Sequence, residues 1–162
     1  MVFTGYYEHS IDDKNRLAIP AKFRSRWNDD RDGTGWVIVP GRPAGTLWLY
    51  PERHFERLVG QGDSELIPNA DQLGFDQTFF PLAEHVELDK QGRILIPERM
   101  LQRSGLEREV IICGVRDHLE VRRRDDFEKT IAESWNHYSE LQEKARGAYR
   151  DLRRQPGPEK GR

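Results

Sequence analysis

The sequence predicts a mainly β fold with short helices, in which two tandem copies of one small unit precede an amphipathic helix. Three observations carry that expectation. Ten residues recur without a gap, Ile11-Asp12-Asp13-Lys14-Asn15-Arg16-Leu17-Ala18-Ile19-Pro20 and Leu88-Asp89-Lys90-Gln91-Gly92-Arg93-Ile94-Leu95-Ile96-Pro97, and self-similarity of this kind is the mark of a repeated structural unit. Short apolar runs bounded by turn residues follow each copy, as strands do. From Phe127 onward, apolar residues return every three or four positions, which is helical spacing.

Each element has a local reason. Val86 and Leu88 flank the polar Glu87 and alternate as a half-buried strand does. Asp89-Lys90-Gln91-Gly92 is turn chemistry ahead of Ile94-Leu95-Ile96, so the segment reads as a β-hairpin. Gly92 suits the left-handed position of a bulged loop, and its counterpart Asn15 is among the few other residues that tolerate that geometry. Pro20 and Pro97 close the strand and are preorganised for the first position of a helix, continued by Ala21-Lys22-Phe23 and by Glu98-Arg99-Met100-Leu101, with Gly105 as a stop. Two further strands follow in each copy: Trp36 to Val39 with Leu47 to Tyr50, and Val110 to Cys113 with His118 to Val121. A four-strand unit of this size cannot bury its apolar face alone, so the two copies are expected to interlock into one barrel-like core.

Between the copies, Gly60-Gln61-Gly62-Asp63-Ser64 reads as a flexible connection, and Gln72 to Leu82 as a partly helical cover. Phe127, Ile131, Trp135, Tyr138, Leu141 and Ala145 define an amphipathic helix. Two roles stay open for it: packing on its own barrel, or filling a groove of a neighbouring subunit. The expected organisation is a first unit over 6–53, a linker with helical cover over 54–82, a second unit over 83–126, the helix over 127–150 and a Pro/Gly-rich disordered tail over 151–162.

Composition narrows the function. The chain has 162 residues, 36% hydrophobic and 33% charged, enough for a core beneath a strongly solvated exterior. Neither a spanning run nor a signal-peptide pattern is present, which places the expectation in the cytoplasm without a membrane partner. Cys113 is the one cysteine, which excludes an internal disulfide; in its apolar run it reads as a buried thiol. His9, His54, His85, His118 and His137 are scattered, and no serine sits in a nucleophile elbow and no glycine-rich phosphate loop occurs. His9 beside Asp12 or Asp13 imitates a metal site, but a solvated or hydrogen-bonding histidine is the better reading. An enzyme, a cofactor and a small-molecule substrate are therefore not expected.

The net charge of −2 hides a local positive segment, since Lys14, Arg16, Lys22, Arg24 and Arg26 are unaccompanied by any acid between positions 14 and 26. An Asp four residues before an Arg can simply bridge its own turn, and an exposed pair of this kind contributes only about 0–1 kcal/mol. That a weak surface pair recurs at equivalent places in diverged copies favours partner binding instead. Double-stranded DNA fits, because a β-ribbon enters the major groove, Arg16 and Arg93 can donate in bidentate fashion to guanine or phosphate, and Lys14 and Lys90 can neutralise phosphates. Asp12 and Asp89 would hold the guanidinium or accept from a cytosine amino group. Lys22, Arg24 and Arg26 either extend that footprint or form a solvated helix face. A protein–protein scaffold or antitoxin-like module is the alternative class.

These paired motifs, the opening Met1-Val2-Phe3-Thr4-Gly5-Tyr6 and the stretch Phe79-Phe80-Pro81-Leu82-Ala83-Glu84-His85-Val86-Glu87-Leu88-Asp89 together resemble the MraZ family, over about residues 1 to 145. The resemblance implies a bacterial transcriptional regulator with two SpoVT/AbrB-like swapped-hairpin units in one pseudo-dimeric β-barrel. It also implies a nucleoid-associated, ring-like homo-oligomer that binds promoter repeats upstream of the division and cell-wall gene cluster. The family's Asp-x-x-x-Arg contact motif falls on Asp12 and Arg16 and again on Asp89 and Arg93, with Lys14, Asn15, Lys90 and Gly92 completing the candidate DNA-binding set. In two respects the chain departs from the pattern: Asn15 replaces the usual glycine, and Gln91 offers no base at the place of Lys14, although Lys90 stands beside it. The two copies are thus expected to contribute unequally.

Overall fold

The computed structural model describes residues 2–60 and 69–154. In chain order the first copy comprises β1 (Tyr6–Ser10), β2 (Arg16–Ala18), α1 (Ala21–Arg24), α2 (Asp29–Asp32), β3 (Gly35–Pro40), β4 (Leu47–Pro51) and α3 (Glu52–Gly60). After α4 (Ala70–Leu82), the second comprises β5 (Glu84–Glu87), β6 (Arg93–Leu95), α5 (Glu98–Ser104), β7 (Glu109–Val115) and β8 (His118–Arg123), followed by α6 (Arg124–Asn136) and α7 (Tyr138–Arg154). The chain through Arg124 forms one compact unit, and the segment from Asp125 onward forms another.

The four long central strands form where expected, but the pairing of the strands around the turns differs from a local hairpin. β2 pairs antiparallel with β6, placing Arg16 opposite Leu95, Leu17 opposite Ile94 and Ala18 opposite Arg93. β1 pairs with β7, and β5 with β3. Each copy therefore donates its first strand to the other copy's β-hairpin. The cause is burial: Leu17 and Ile94 meet across the ribbon fully buried, and each such side chain contributes roughly 1.5–3 kcal/mol relative to exposure.

The barrel expectation is corrected to an open sheet. Six strands run in the order β1-β7-β8-β4-β3-β5, and the β2–β6 ribbon is a separate two-stranded sheet. Exchanging the copies reverses this order onto itself, so the sheet carries a pseudo-two-fold axis between β8 and β4. Strands of three residues pair with one another but are too short to connect the sheet edges β1 and β5 into a closed cylinder. Leu17, Ile19, Ile94 and Ile96 from the ribbon share one core with Ile38, Leu49, Ile112 and Val121 from the sheet. Cys113 is buried, as its apolar run suggested, and burial pushes its thiol up to about 12.

Helix ends follow the sequence closely, with one shift. Pro20 and Pro97 stand just before the first helical residue, with ψ of 135° and 132°, because each still belongs to the extended chain leaving the ribbon. Gly105 terminates α5 in the left-handed conformation, its N–H donating to the Leu101 carbonyl at 3.0 Å. The Gln72–Leu82 cover is helical as part of α4, entered through an Asn69 cap that accepts from the Gln72 amide. In place of one late helix there are two, because the Leu141 amide begins a new ladder on the His137 carbonyl. Most of the expected flexible connection, and the tail from 155, lie outside the described residues.

The sheet face opposite the core carries a polar strip. His118 Nδ1 lies 2.8 Å from Asp117, which also takes His54 Nε2 at 3.0 Å. His118 Nε2 lies 3.5 Å from Glu120, whose other oxygen is 4.0 Å from Arg122. Trp48 and Tyr50 pack against the His118 ring. Burial opposes a charge on His118, but the bonds to Glu120 and Asp117 outweigh it and raise its pKa above 6.5. The stabilisation is complete below pH 6.5 and disappears as pH rises through that raised value. Partly buried His9 has its pKa lowered and acts oppositely, losing stability as pH falls below 6.5. In thermal melts from pH 6 to 8.5, Tm should therefore fall more, or rise less, with pH in the parent than in His118→Gln; an identical slope in that variant would remove His118 from the account.

Candidate nucleic-acid interface

The two turns joining β1 to β2 and β5 to β6 have one backbone. In the first, the Asp12 amide donates to the Arg16 carbonyl at 3.0 Å and the Asn15 amide to the Asp12 carbonyl at 2.9 Å. In the second, Asp89 donates to Arg93 at 2.8 Å and Gly92 to Asp89 at 2.9 Å. Asn15 and Gly92 both adopt positive φ, 59° and 76°, as the turn chemistry required.

The carboxylates repeat the same pattern. Asp12 Oδ1 accepts from the Lys14 and Arg16 amides, each at 2.9 Å, and its Oδ2 accepts from Arg16 Nε at 2.8 Å and lies 2.7 Å from Nη2. Asp89 does likewise with the Gln91 and Arg93 amides and with Arg93 Nε and Nη2. Each Asp thus bridges its own turn, and in doing so fixes the guanidinium by one edge. The second Nη lies outside that fork. Hydrogen bonding from Arg16 holds the Asp12 carboxyl down to about 2, and Arg93 lowers Asp89 in the same way. Both clamps are therefore ionised at neutral pH.

The turns are neighbours. Arg93 Nη1 lies 4.0 Å from Asp12 Oδ2, so the second copy's guanidinium reaches the first copy's clamp. Cross-copy main-chain bonds hold them there: Ile19 N–H donates to the Gly92 carbonyl and Ile96 N–H to the Asn15 carbonyl, both at 2.9 Å. The side chains of Arg16 and Arg93 remain 32% and 25% exposed, and Lys14 and Lys90 are exposed at the turn tips.

The three remaining basic candidates separate. Arg24 belongs to the second turn: its Nε donates to the Ile19 carbonyl at 3.0 Å, and a Cβ on Gly92 would stand 2.7 Å from its Cζ. A side chain at Gly92 would displace the mobile end of Arg24, so the demand for glycine comes chiefly from its positive φ. The pseudo-equivalent of Arg24 is Leu101, an apolar side chain packed against the core, so the first turn has no such neighbour and accommodates Asn15. Lys22 and Arg26 point to the N-terminal segment, over the Tyr7 ring and to the Val2 carbonyl. Sequence reasoning missed a further contact, the ion pair of Asp13 with Arg108, for which no local signal exists. Among the described residues, no cluster of three or more His, Cys, Asp or Glu is placed to hold a metal ion, and no helix is long and apolar enough to cross a membrane.

Comparison with known proteins agrees with this repeated geometry. The family model described as "MraZ protein, putative antitoxin-like" matches residues 2–74 and again 79–151. A protein of Moorella thermoacetica named Transcriptional regulator MraZ is 36% identical over 143 residues, covering 88% of this chain and 96% of its own length. The proteins of the same name from Lactiplantibacillus plantarum and Clostridium beijerinckii are each 34% identical, over 142 and 139 residues, covering 88% and 86% of this chain and 96% and 88% of their own.

The turn geometry makes a stability prediction. Gly92→Val places a β-branched side chain at positive φ and drives it into Arg24, which should cost more than the ~1 kcal/mol of glycine's backbone advantage alone. Asn15→Gly should leave the unfolding free energy within roughly 0.5 kcal/mol of the parent. Chemical denaturation of both variants decides it, and a Gly92→Val loss no larger than that of Asn15→Gly would contradict the demand that positive φ places on Gly92.

Proposed function

The chain belongs to the MraZ family, and from that membership and the paired turns we propose that it is a sequence-specific DNA-binding transcriptional regulator. One observation carries the reading: two identical Asp–Arg clamps stand side by side, with Arg93 4.0 Å from Asp12. A duplex meeting one clamp meets the other. Within each, Asp12 or Asp89 orients a guanidinium whose remaining N–H groups suit the O6 and N7 acceptors of guanine or a phosphate. Lys14 and Lys90 neutralise phosphates beside them, while Asn15 and Gly92 set the turn shape that aims both arginines. The DNA is taken to be promoter repeats upstream of the division and cell-wall gene cluster, bound by a ring-like homo-oligomer in the cytoplasm at the nucleoid.

The purified protein should bind its own upstream promoter fragment, with log K falling linearly in log salt by about 0.9 per neutralised phosphate. Replacing Arg16 and Arg93 together by Ala should weaken binding by roughly 1–3 kcal/mol for each guanine no longer read, with particle size unchanged; full affinity in that variant would reject the clamps' role. For assembly, light scattering should report a multimer that dissociates when residues 127–162 are removed. A monomeric parent protein would contradict that part of the proposal, and retained affinity in a scaffold-like partner assay without DNA binding would favour the interaction-module reading.

A further inference from the structure

Alternation along the β2–β6 ribbon sends Leu17 and Ile94 inward and leaves four side chains on the outer face. They are Arg16, Ala18, Arg93 and Leu95, paired across the strands as Arg16 with Leu95 and Ala18 with Arg93. Leu95 is 60% exposed, although it stands in the centre of the apolar run Ile94-Leu95-Ile96, whose other two members are fully buried. The exposed leucine stands directly opposite a clamped arginine, with Arg93 on the same face and Lys14 and Lys90 exposed at the adjoining turn tips.

We infer that Leu95 is a specificity-determining residue that contacts the C5-methyl group of thymine in the major groove. The inference rests on the DNA-binding reading and adds to it the identity of one base type. The charges around Leu95 select a polyanion as the occupant of this face. Within the major groove of DNA the thymine methyl is the largest apolar group presented at the base edges, cytosine offering only a C5–H at the same place, while the purine N7, O6 and N6 and the pyrimidine O4 and N4 groups donate or accept hydrogen bonds. Directly opposed residues of an antiparallel pair have their Cβ atoms about 4.5–5.5 Å apart, so Arg16 and Leu95 address neighbouring positions along the groove. Together they suit a guanine next to a thymine. The pseudo-equivalent pair is Arg93 with Ala18, whose single methyl reaches less far. The two halves of the ribbon therefore discriminate unequally, with the thymine preference concentrated beside Arg16.

The experiment compares the protein's own upstream promoter fragment made with thymine against the same fragment made with deoxyuridine, which lacks only the methyl. Both are titrated with the full-length parent protein, with Leu95→Ala and with the Arg16→Ala, Arg93→Ala double variant. The parent should lose about three- to fivefold in affinity per buried methyl on deoxyuridine DNA, from the ordinary value of a buried apolar carbon. Leu95→Ala should bind thymine DNA about as weakly as the parent binds deoxyuridine DNA, and should be nearly indifferent to the exchange. Equal sensitivity of parent and Leu95→Ala to deoxyuridine overturns the inference while leaving the clamps' role intact. A change of particle size in Leu95→Ala by light scattering also overturns it, by making Leu95 an assembly contact. Failure of the parent to bind either fragment defeats the DNA-binding reading itself, and the inference with it.

Discussion

The structure depends on an exchange of main-chain hydrogen bonds between the two copies. Ile19 donates to the Gly92 carbonyl and Ile96 to the Asn15 carbonyl, each at 2.9 Å. Both acceptors are the left-handed residues of the turns. The turn conformation and the register of the inter-copy ribbon are consequently one constraint: altering φ at either residue turns its carbonyl away from the opposite copy. Since buried backbone groups must find partners, the ribbon forms with both turns in the same shape or loses its ladder. The proximity of the two clamps follows from this without any side-chain attraction between them.

Electrostatics then acts on a frame already fixed. The net charge of −2 says nothing of the ribbon's outer face, because acids are spent locally. Asp12 and Asp89 each engage both oxygens with two backbone amides and one guanidinium edge, and Asp13, though exposed, pairs with Arg108. A carboxylate so occupied presents little of its charge to a polyanion while it removes rotamer freedom from the arginine it holds. Pre-orienting a long side chain lowers the entropy it loses on meeting any partner, whereas the net stabilisation from an exposed ion pair is small.

How much of this was legible in the sequence follows from whether the determining contact is local. The shared turn, the left-handed Asn15 and Gly92, the stop at Gly105 and the central strands depend on residues a few positions apart, and their chemistry is written there. The partner of each short strand is not. Val86–Leu88 with Ile94–Ile96 has the same pattern whether it closes on itself or crosses to the other copy, and only the mutual burial of Leu17 and Ile94 decides. Openness of the sheet was hidden for a similar reason, since closure depends on how strand ends meet in space. Arg24 and Gly92 are far apart in the chain, and the run Ile94-Leu95-Ile96 does not announce which member faces out until the register is known.

The two copies differ where the frame leaves them free. Positions that close the turn or fill the ribbon interior are identical or alike, Asp12 with Asp89, Arg16 with Arg93 and Leu17 with Ile94. Positions outside the turn closure and the ribbon interior diverge: Asp13 against Lys90, Lys14 against Gln91, Ala18 against Leu95, and the exposed Arg24 against Leu101, which packs on the core. Arg24 places its guanidinium where a Cβ at Gly92 would come, while its counterpart Leu101 packs on the core and the first turn holds Asn15. A pseudo-symmetric scaffold thereby presents an asymmetric face.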